Sequence, residues 1–313
     1  MESLVEFTLD DYWFSQNYSY DWDNIYELPI FMDNKHIIIC IILGIVVLLS
    51  FVGNILVVVI SVFYVRLRSL ISVFILNLAL SDLLFTVGLP FWVCDYLWNL
   101  DLGDALCKVY KFLFFSVGFY SNMVFLVLMS VQRYICVVHP LSGWMKGCSF
   151  TVVLICAWAI SILAALQVAV QVEANSNLGC IYSSNTAFLA ILYKEISVFV
   201  CTFLFMAVLY IKILQNIFKS TTNQGHRTTG LVFTLVATYF VFWAPYIILH
   251  FLAILNHHQV RFYIPVEYFN DAIYICYVLS FTRCCLNPLI YGLFGLRFRK
   301  TARNIFLRRA NSE

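Results

Sequence analysis

Seven long apolar stretches separated by short polar intervals set the pattern of this chain. They run over about residues 36–63, 70–97, 105–137, 147–171, 188–217, 228–256 and 266–291. A helix rises about 1.5 Å per residue, so each stretch is long enough to cross a hydrocarbon core of roughly 30 Å. Residues 107–134 form the central one, almost unbroken in apolar and aromatic residues, with Gln132-Arg133-Tyr134 closing it. Ser116, Gly118, Ser121 and Asn122 recur along it, and in lipid such residues belong against other helices. Beyond Gly292 the run from Phe294 to Leu307 reads as a basic amphipathic helix lying on the membrane surface. The pattern predicts an all-α membrane protein: a seven-transmembrane helix bundle with a short amphipathic eighth helix. Residues 1–35 form an acidic arm, 36–291 the membrane domain, and 292–313 the eighth helix and a short basic tail.

Composition agrees, with 62% hydrophobic and 12% charged residues over 313, outside the soluble range. The net charge of +2 matters less than its distribution. Residues 1–34 carry eight acids and neither Lys nor Arg, while the tail after Gly292 carries six bases and only Glu313 as an acid. Arg66, Arg68, Lys146, Lys219 and Arg227 fall on the same side as that tail. The excess of Lys and Arg on cytoplasmic loops then predicts an extracellular N-terminus and a cytosolic C-terminus. No basic segment precedes the first apolar run, so no cleavable signal peptide is expected. Most of the eleven cysteines lie within apolar runs, leaving Cys107 and Cys180 as the two facing loops. The arm is not expected to fold alone.

Seven spans suit channels and transporters as well, and motifs narrow the class. Gly53-Asn54-Ile55-Leu56-Val57 lies in the first span and Leu78-Ala79-Leu80-Ser81-Asp82 in the second. Arg133-Tyr134 closes the third, Trp158 lies in the fourth, Phe242-Trp243-Ala244-Pro245-Tyr246 in the sixth, and Asn287-Pro288-Leu289-Ile290-Tyr291 ends the seventh. In this order the motifs resemble rhodopsin-like G-protein-coupled receptors over about residues 36–307. Leu89-Pro90-Phe91-Trp92, His226-Arg227-Thr228 and Cys284-Cys285-Leu286-Asn287-Pro288 resemble chemokine receptors. Ile275-Cys276 ahead of Leu279-Ser280-Phe281, with Gln132 rather than aspartate before Arg133, looks most like the XC branch of that family.

The resemblance implies a disulfide between Cys107 and Cys180, which closes a loop of about 70 residues and stabilises by around 4 kcal/mol. It implies ligand contacts at Trp92, Phe115, Glu195, Tyr246 and Tyr277, and an activation switch at Trp243, Pro245, Asn287, Pro288 and Tyr291. Each proline removes a helix hydrogen bond and bends its helix. Arg133, Tyr134 and Tyr210 are expected to face a heterotrimeric G protein of the inhibitory class. Asp82 matches the family's sodium-coordinating aspartate, and Asn122 and Arg283 belong to the same region. The chain also departs from the pattern. Its N-terminal arm has no cysteine, Tyr277 stands where many relatives have glutamate, Leu100 replaces a first-loop tryptophan, and the fifth span lacks proline.

Ionisable residues within a span cost about 2.5–3.5 kcal/mol on insertion scales, so each is a functional candidate. Glu195 is placed either to meet a cationic ligand group or to pair with Lys111 or Lys194. Arg283 lies one turn before Asn287, on the face toward Asp82 and Asn122. It either pairs with Asp82 or turns to Asn122 and a backbone carbonyl.

The predicted protein is a multi-pass plasma-membrane receptor that binds a chemokine, a basic protein, and signals to a G protein. The alternatives are a non-signalling chemokine scavenger or a peptide receptor of the same family. It is not an enzyme: no nucleophile–base pair, metal cluster or phosphate loop is visible, and no cofactor or nucleic acid is implied. Membrane lipid surrounds it, and arrestin remains open as a partner. An opsin needs lysine where Phe281 stands, an amine receptor needs aspartate at Phe115, and no internal repeat suggests a transporter.

In the arm, Tyr12, Tyr18, Tyr20 and Tyr26 lie beside or near acids, a pattern suited to sulfation, and Asn17-Tyr18-Ser19 is a glycosylation sequon. A polyanionic arm captures a basic ligand by long-range attraction. Deleting residues 1–30 is therefore expected to slow ligand association and flatten its salt dependence, as read by association kinetics over a salt series. An unchanged on-rate at low salt refutes the capture role.

Overall fold

The computed structural model describes residues 34–64, 70–98, 103–139, 150–175, 179–219, 226–258 and 266–294. Each predicted apolar run becomes one long helical element. These are α1 (Asn34–Val59), α2 (Leu70–Trp98), α3 (Gly103–Val138), α4 (Phe150–Gln171), α5 (Asn185–Lys219), α6 (His226–His257) and α7 (Val266–Phe294). Among the described residues, α1 to α6 contain stretches long and apolar enough to cross a membrane. The seventh helix carries Ser280, Thr282, Arg283 and Asn287, whose polarity follows from what it faces. The expected eighth helix and the N-terminal arm fall outside the described residues.

The helices close into a ring in chain order, with α7 packed against α1, α2 and α6, while α3 runs through the middle against α2, α4, α5 and α6. Burial follows this placement. In the most apolar window of α3, 61% of residues are buried, against 28% in α1 and 22% in α4. The exposed faces of α1, α4 and α5 carry large apolar side chains such as Leu48, Phe51, Ile155, Leu163, Phe203 and Leu204. Such a surface is stable against hydrocarbon and not against water.

Among the described residues a hairpin lies outside the all-helical expectation, and two segments, Ile60–Tyr64 after α1 and Tyr110–Val117 within α3, are π-helical rather than α-helical. Val172–Asn175 (β1) and Gly179–Tyr182 (β2) pair antiparallel, with Ala174 opposite Cys180, and Ser183 N donates to Gln171 O at 2.8 Å to close the base. The disulfide between Cys180 and Cys107 fastens this hairpin to the start of α3. Within α3, Tyr110–Val117 is wound as a π-helix, and Ser116 Oγ donates five residues back to Lys111 O at 2.9 Å. A wide π-helical segment of this kind re-aims side chains and recurs at functional sites.

Polar cross-links tie one side of the bundle. Pro288 has no N–H, so the carbonyl of Cys284 loses its helical partner; Asn54 Nδ2 of α1 donates to it at 3.1 Å. Ser50 and Thr86 share a hydrogen bond of 2.6 Å between α1 and α2. Trp158 Nε1 of α4 donates to Asn77 Oδ1 of α2 at 3.0 Å.

Close approach is made possible by glycine. A Cβ at Gly88 of α2 would lie 2.5 Å from Phe114 Cβ of α3, an atom too near the backbone to swing aside. Gly88→Ala is expected to lower the thermal unfolding midpoint of the purified protein by the equivalent of about 1–3 kcal/mol of overpacking. Gly44, which has no heavy atom within 4 Å of its would-be Cβ, is the control. Equal midpoints for Gly88→Ala and Gly44→Ala refute the close-contact account.

Candidate functional site

Near the hairpin end, Glu195 projects from α5 into the interior and is only 5% exposed. Two α6 side chains one turn apart meet it, because Tyr246 and His250 share a helix face. Tyr246 Oη donates to Glu195 Oε2 at 3.4 Å, and His250 Nδ1 lies 3.8 Å from the same oxygen. The Tyr246 ring packs on His250 at 3.8 Å and on Tyr277 of α7 at 4.9 Å between centroids. Phe115, carried on the π-helical turn, stands 6.3 Å from both Tyr277 and Trp243. Lys194 is directed at α4, where its ammonium donates to Ala164 O at 3.0 Å and lies 5.4 Å from the Tyr120 ring centre. Beside this group a small apolar cleft is lined by Phe85, Gly88, Leu89, Tyr110, Phe115 and Phe281. Trp92 lies on α2, with its side chain outside the described set. Tyr12, Asn17, Tyr18, Tyr20 and Tyr26 are outside it altogether.

Below Tyr246 an aromatic column descends through the bundle. Trp243, 1% exposed, meets Tyr246 at 5.4 Å, Phe85 at 5.9 Å and Phe119 at 4.7 Å. Tyr239 continues it, 6.2 Å from Trp243, and its ring faces the Arg283 guanidinium at 5.3 Å. Pro245 sits in α6 between Trp243 and Tyr246, and Pro288 sits in α7 one residue after Asn287.

Arg283 and Asp82 meet in the core at 2% and 0% side-chain exposure, with Arg283 Nη2 2.9 Å from Asp82 Oδ1. Asn287 Nδ2 donates to Asp82 Oδ2 at 2.6 Å, and Arg283 Nη1 donates to Asn122 Oδ1 of α3 at 3.4 Å. Of the two arrangements open to Arg283 in the sequence, the structure combines the Asp82 contact with the Asn122 contact. Among the described residues, no three His, Cys, Asp or Glu side chains converge as metal ligands would.

At the opposite end, Arg133 Nη2 donates to the neighbouring Gln132 Oε1 at 3.3 Å, while Arg133 Nε is buried without a hydrogen-bond partner. Tyr210 of α5 reaches Ser130 Oγ at 3.4 Å and packs on Phe233 of α6 at 5.2 Å. Asn216 Nδ2 donates to Val137 O at 2.7 Å, binding α5 to α3. Tyr134 Oη lies 3.4 Å from His139 Nε2, and Tyr291 is buried with its hydroxyl unpartnered. In this arrangement Tyr210 and Tyr291 are packed inside the bundle rather than lining an open cleft.

Sequence reasoning passed over His250, Phe85, Phe119 and Tyr239. The helical spacing of Tyr239, Trp243, Tyr246 and His250 along one face of α6 was the signal available for two of them, Tyr239 and His250.

Residues 53–291 match the family described as 7 transmembrane receptor (rhodopsin family). The chain is 37% identical to human (Homo sapiens) chemokine XC receptor 1 over 263 residues, covering 83% of this chain and 78% of that protein. It is also 37% identical to the mouse (Mus musculus) chemokine XC receptor 1 over 267 residues, covering 84% and 81%. Human C-C chemokine receptor type 1 is 31% identical over 283 residues, covering 85% and 78%.

Proposed function

The chain belongs to the chemokine receptors of the rhodopsin family, and we propose that it binds a chemokine on its hairpin face and signals through an inhibitory-class heterotrimeric G protein. It is a multi-pass plasma-membrane protein and not an enzyme. In this reading the hairpin end and the acidic arm are extracellular, and the Arg133 end is cytosolic. The arm captures the basic ligand, whose leading segment then enters between Phe115, Glu195, Tyr246 and Tyr277. A buried carboxylate ringed by aromatic faces suits a cationic group of that segment.

The observation that supports transmission is the aromatic column. Tyr246, Trp243 and Tyr239 are successive turns of α6, so whatever displaces Tyr246 at the ligand end bears on Trp243 and then on the ring over Arg283. Pro245 lacks the N–H that would bond the Val241 carbonyl, which weakens the hydrogen-bond ladder of α6 beside Trp243. Ligand binding shifts the population toward a state with α6 swung outward at its Arg133 end. That movement parts Tyr210 from Phe233 and exposes Arg133, Tyr210 and Tyr291 to the G protein.

Binding of a chemokine panel, paired with nucleotide exchange on reconstituted G protein, tests this reading. Exchange driven by a bound chemokine is expected. Tight chemokine binding without exchange by any G-protein class replaces it with the scavenger reading, and binding of a non-chemokine peptide alone replaces it with a peptide receptor.

Gln132 generates a separate expectation. It accepts from Arg133 but carries no charge, and charge-assisted hydrogen bonds are roughly twice as strong as neutral ones. Arg133 is therefore held loosely, and ligand-free G-protein turnover is expected to be raised. Gln132→Asp should lower basal turnover several-fold without changing ligand affinity at the opposite face. Basal turnover already at background, or unmoved by the substitution, refutes this account.

A further inference from the structure

A carboxylate at the centre of a membrane bundle needs a proton, a metal cation or a cationic side chain beside it. The rhodopsin-family resemblance implies a sodium ion at Asp82, and the surrounding donors decide whether one fits. A hard cation takes oxygen ligands. Here Asp82 Oδ1 accepts from Arg283 Nη2 at 2.9 Å and Oδ2 accepts from Asn287 Nδ2 at 2.6 Å. Asn122 Oδ1, the neighbouring oxygen from α3, accepts from Arg283 Nη1 at 3.4 Å. The next atom in reach of the guanidinium is a sulfur, Cys284 Sγ, at 3.5 Å from Nη2. Each of these three oxygens already faces an N–H, and a second positive charge beside the guanidinium is repelled. The residues present do not fit a sodium ion.

We propose that Arg283 is a built-in cation that occupies this position permanently, so that the receptor is insensitive to sodium and α7 is locked to α2 by its own side chain. The pair is 2% and 0% exposed, so in this arrangement the guanidinium is withdrawn from water. It is also braced from α6, since the Tyr239 ring lies 5.3 Å from Cζ. A mobile ion leaves by diffusion, whereas a tethered one leaves only when α7 moves relative to α2. Whatever state follows must carry the guanidinium with it. The inference is independent of which ligand binds.

The test is thermal unfolding of the purified full-length protein in sodium, potassium or choline chloride at one ionic strength of about 0.15 M. The unmodified protein is expected to give one midpoint in all three, within about 1 °C, because a ligand stabilises only when it binds the folded state. Arg283→Ser, which releases Asp82 Oδ1 and Asn122 Oδ1, is expected to gain a sodium-specific rise. A sodium-specific rise in the unmodified protein overturns the proposal, and so does a folded Arg283→Ser protein blind to sodium. Where Arg283→Ser fails to fold, surface expression decides. Asp82→Asn strands the guanidinium and is expected to cut expression several-fold, and adding Arg283→His to restore it. Full expression of Asp82→Asn, or no restoration in the double variant, overturns the pair.

Discussion

A full ion pair with neither partner touching solvent sets the terms for the rest of this bundle. Arg283 and Asp82 neutralise each other across α7 and α2, and losing one partner of such a pair costs about 3–5 kcal/mol in soluble precedents. The attraction repays desolvation only where the remaining donors and acceptors are also met, and the surrounding polar residues do much of that. Asn287 takes the second carboxylate oxygen and Asn122 takes another guanidinium N–H. One turn along α7, Asn54 collects the carbonyl that Pro288 leaves open. Gly53, whose would-be Cβ lies 2.8 Å from Pro288 Cγ, lets α1 come close enough for this. Polar atoms in α1, α2, α3 and α7 thus form one layer around a single charge pair.

The fold was legible because lipid leaves few choices. Backbone groups in hydrocarbon must be satisfied within the segment, so an apolar run of sufficient length becomes a helix. The expected run at 70–97 becomes Leu70–Trp98, 105–137 becomes Gly103–Val138 and 228–256 becomes His226–His257. What periodicity did not carry was the hairpin. Val172–Asn175 and Gly179–Tyr182 are four residues each, too short for an alternating pattern to register. The π-helical turn at Tyr110–Val117 was equally hidden. A shift in hydrogen-bond register leaves no mark in composition, yet it decides where Phe115 points.

The site was legible where residue type alone restricts the options. Arg283 in an apolar helix has few possible partners, and Asp82 and Asn122 were the ones in reach. Glu195 was harder, because Lys194, Lys111 and a ligand group all suited it. Adjacent helix positions point in different directions, so Lys194 turns to Ala164 on α4 while Glu195 faces the interior. The partners it meets, Tyr246 and His250, come from a different helix. Tertiary contacts of that kind follow from helix rotation, which sequence spacing constrains only loosely.

The sixth helix stands apart from the polar layer. Its hydrogen bonds to other helices include Tyr246 to Glu195 at 3.4 Å and Ser280 to the Phe242 carbonyl at 3.2 Å, both long, and a side-chain contact of Tyr246 with Tyr277. Otherwise it is held by rings: Phe240 against Phe199 and Phe203, Trp243 against Phe85, Phe115 and Phe119, Phe233 against Tyr210. Aromatic contacts are broad and tolerate sliding, whereas buried hydrogen bonds are lost abruptly when partners separate. Four α6 groups, Thr229 Oγ1, Tyr239 Oη, Trp243 Nε1 and His250 Nδ1, are buried without a hydrogen-bond partner. Each unmet group raises the energy of this arrangement by about 1–3 kcal/mol, and α1 and α7 carry such groups too, at Asn54 Oδ1, Arg283 Nε and Tyr291 Oη, so the contrast with α6 lies in the hydrogen bonds that are made. Moving α1, α2 or α7 instead disturbs the layer around Asp82 and Arg283. The distribution of polar contacts, more than any single residue, is the physical reason for proposing α6 as the moving part.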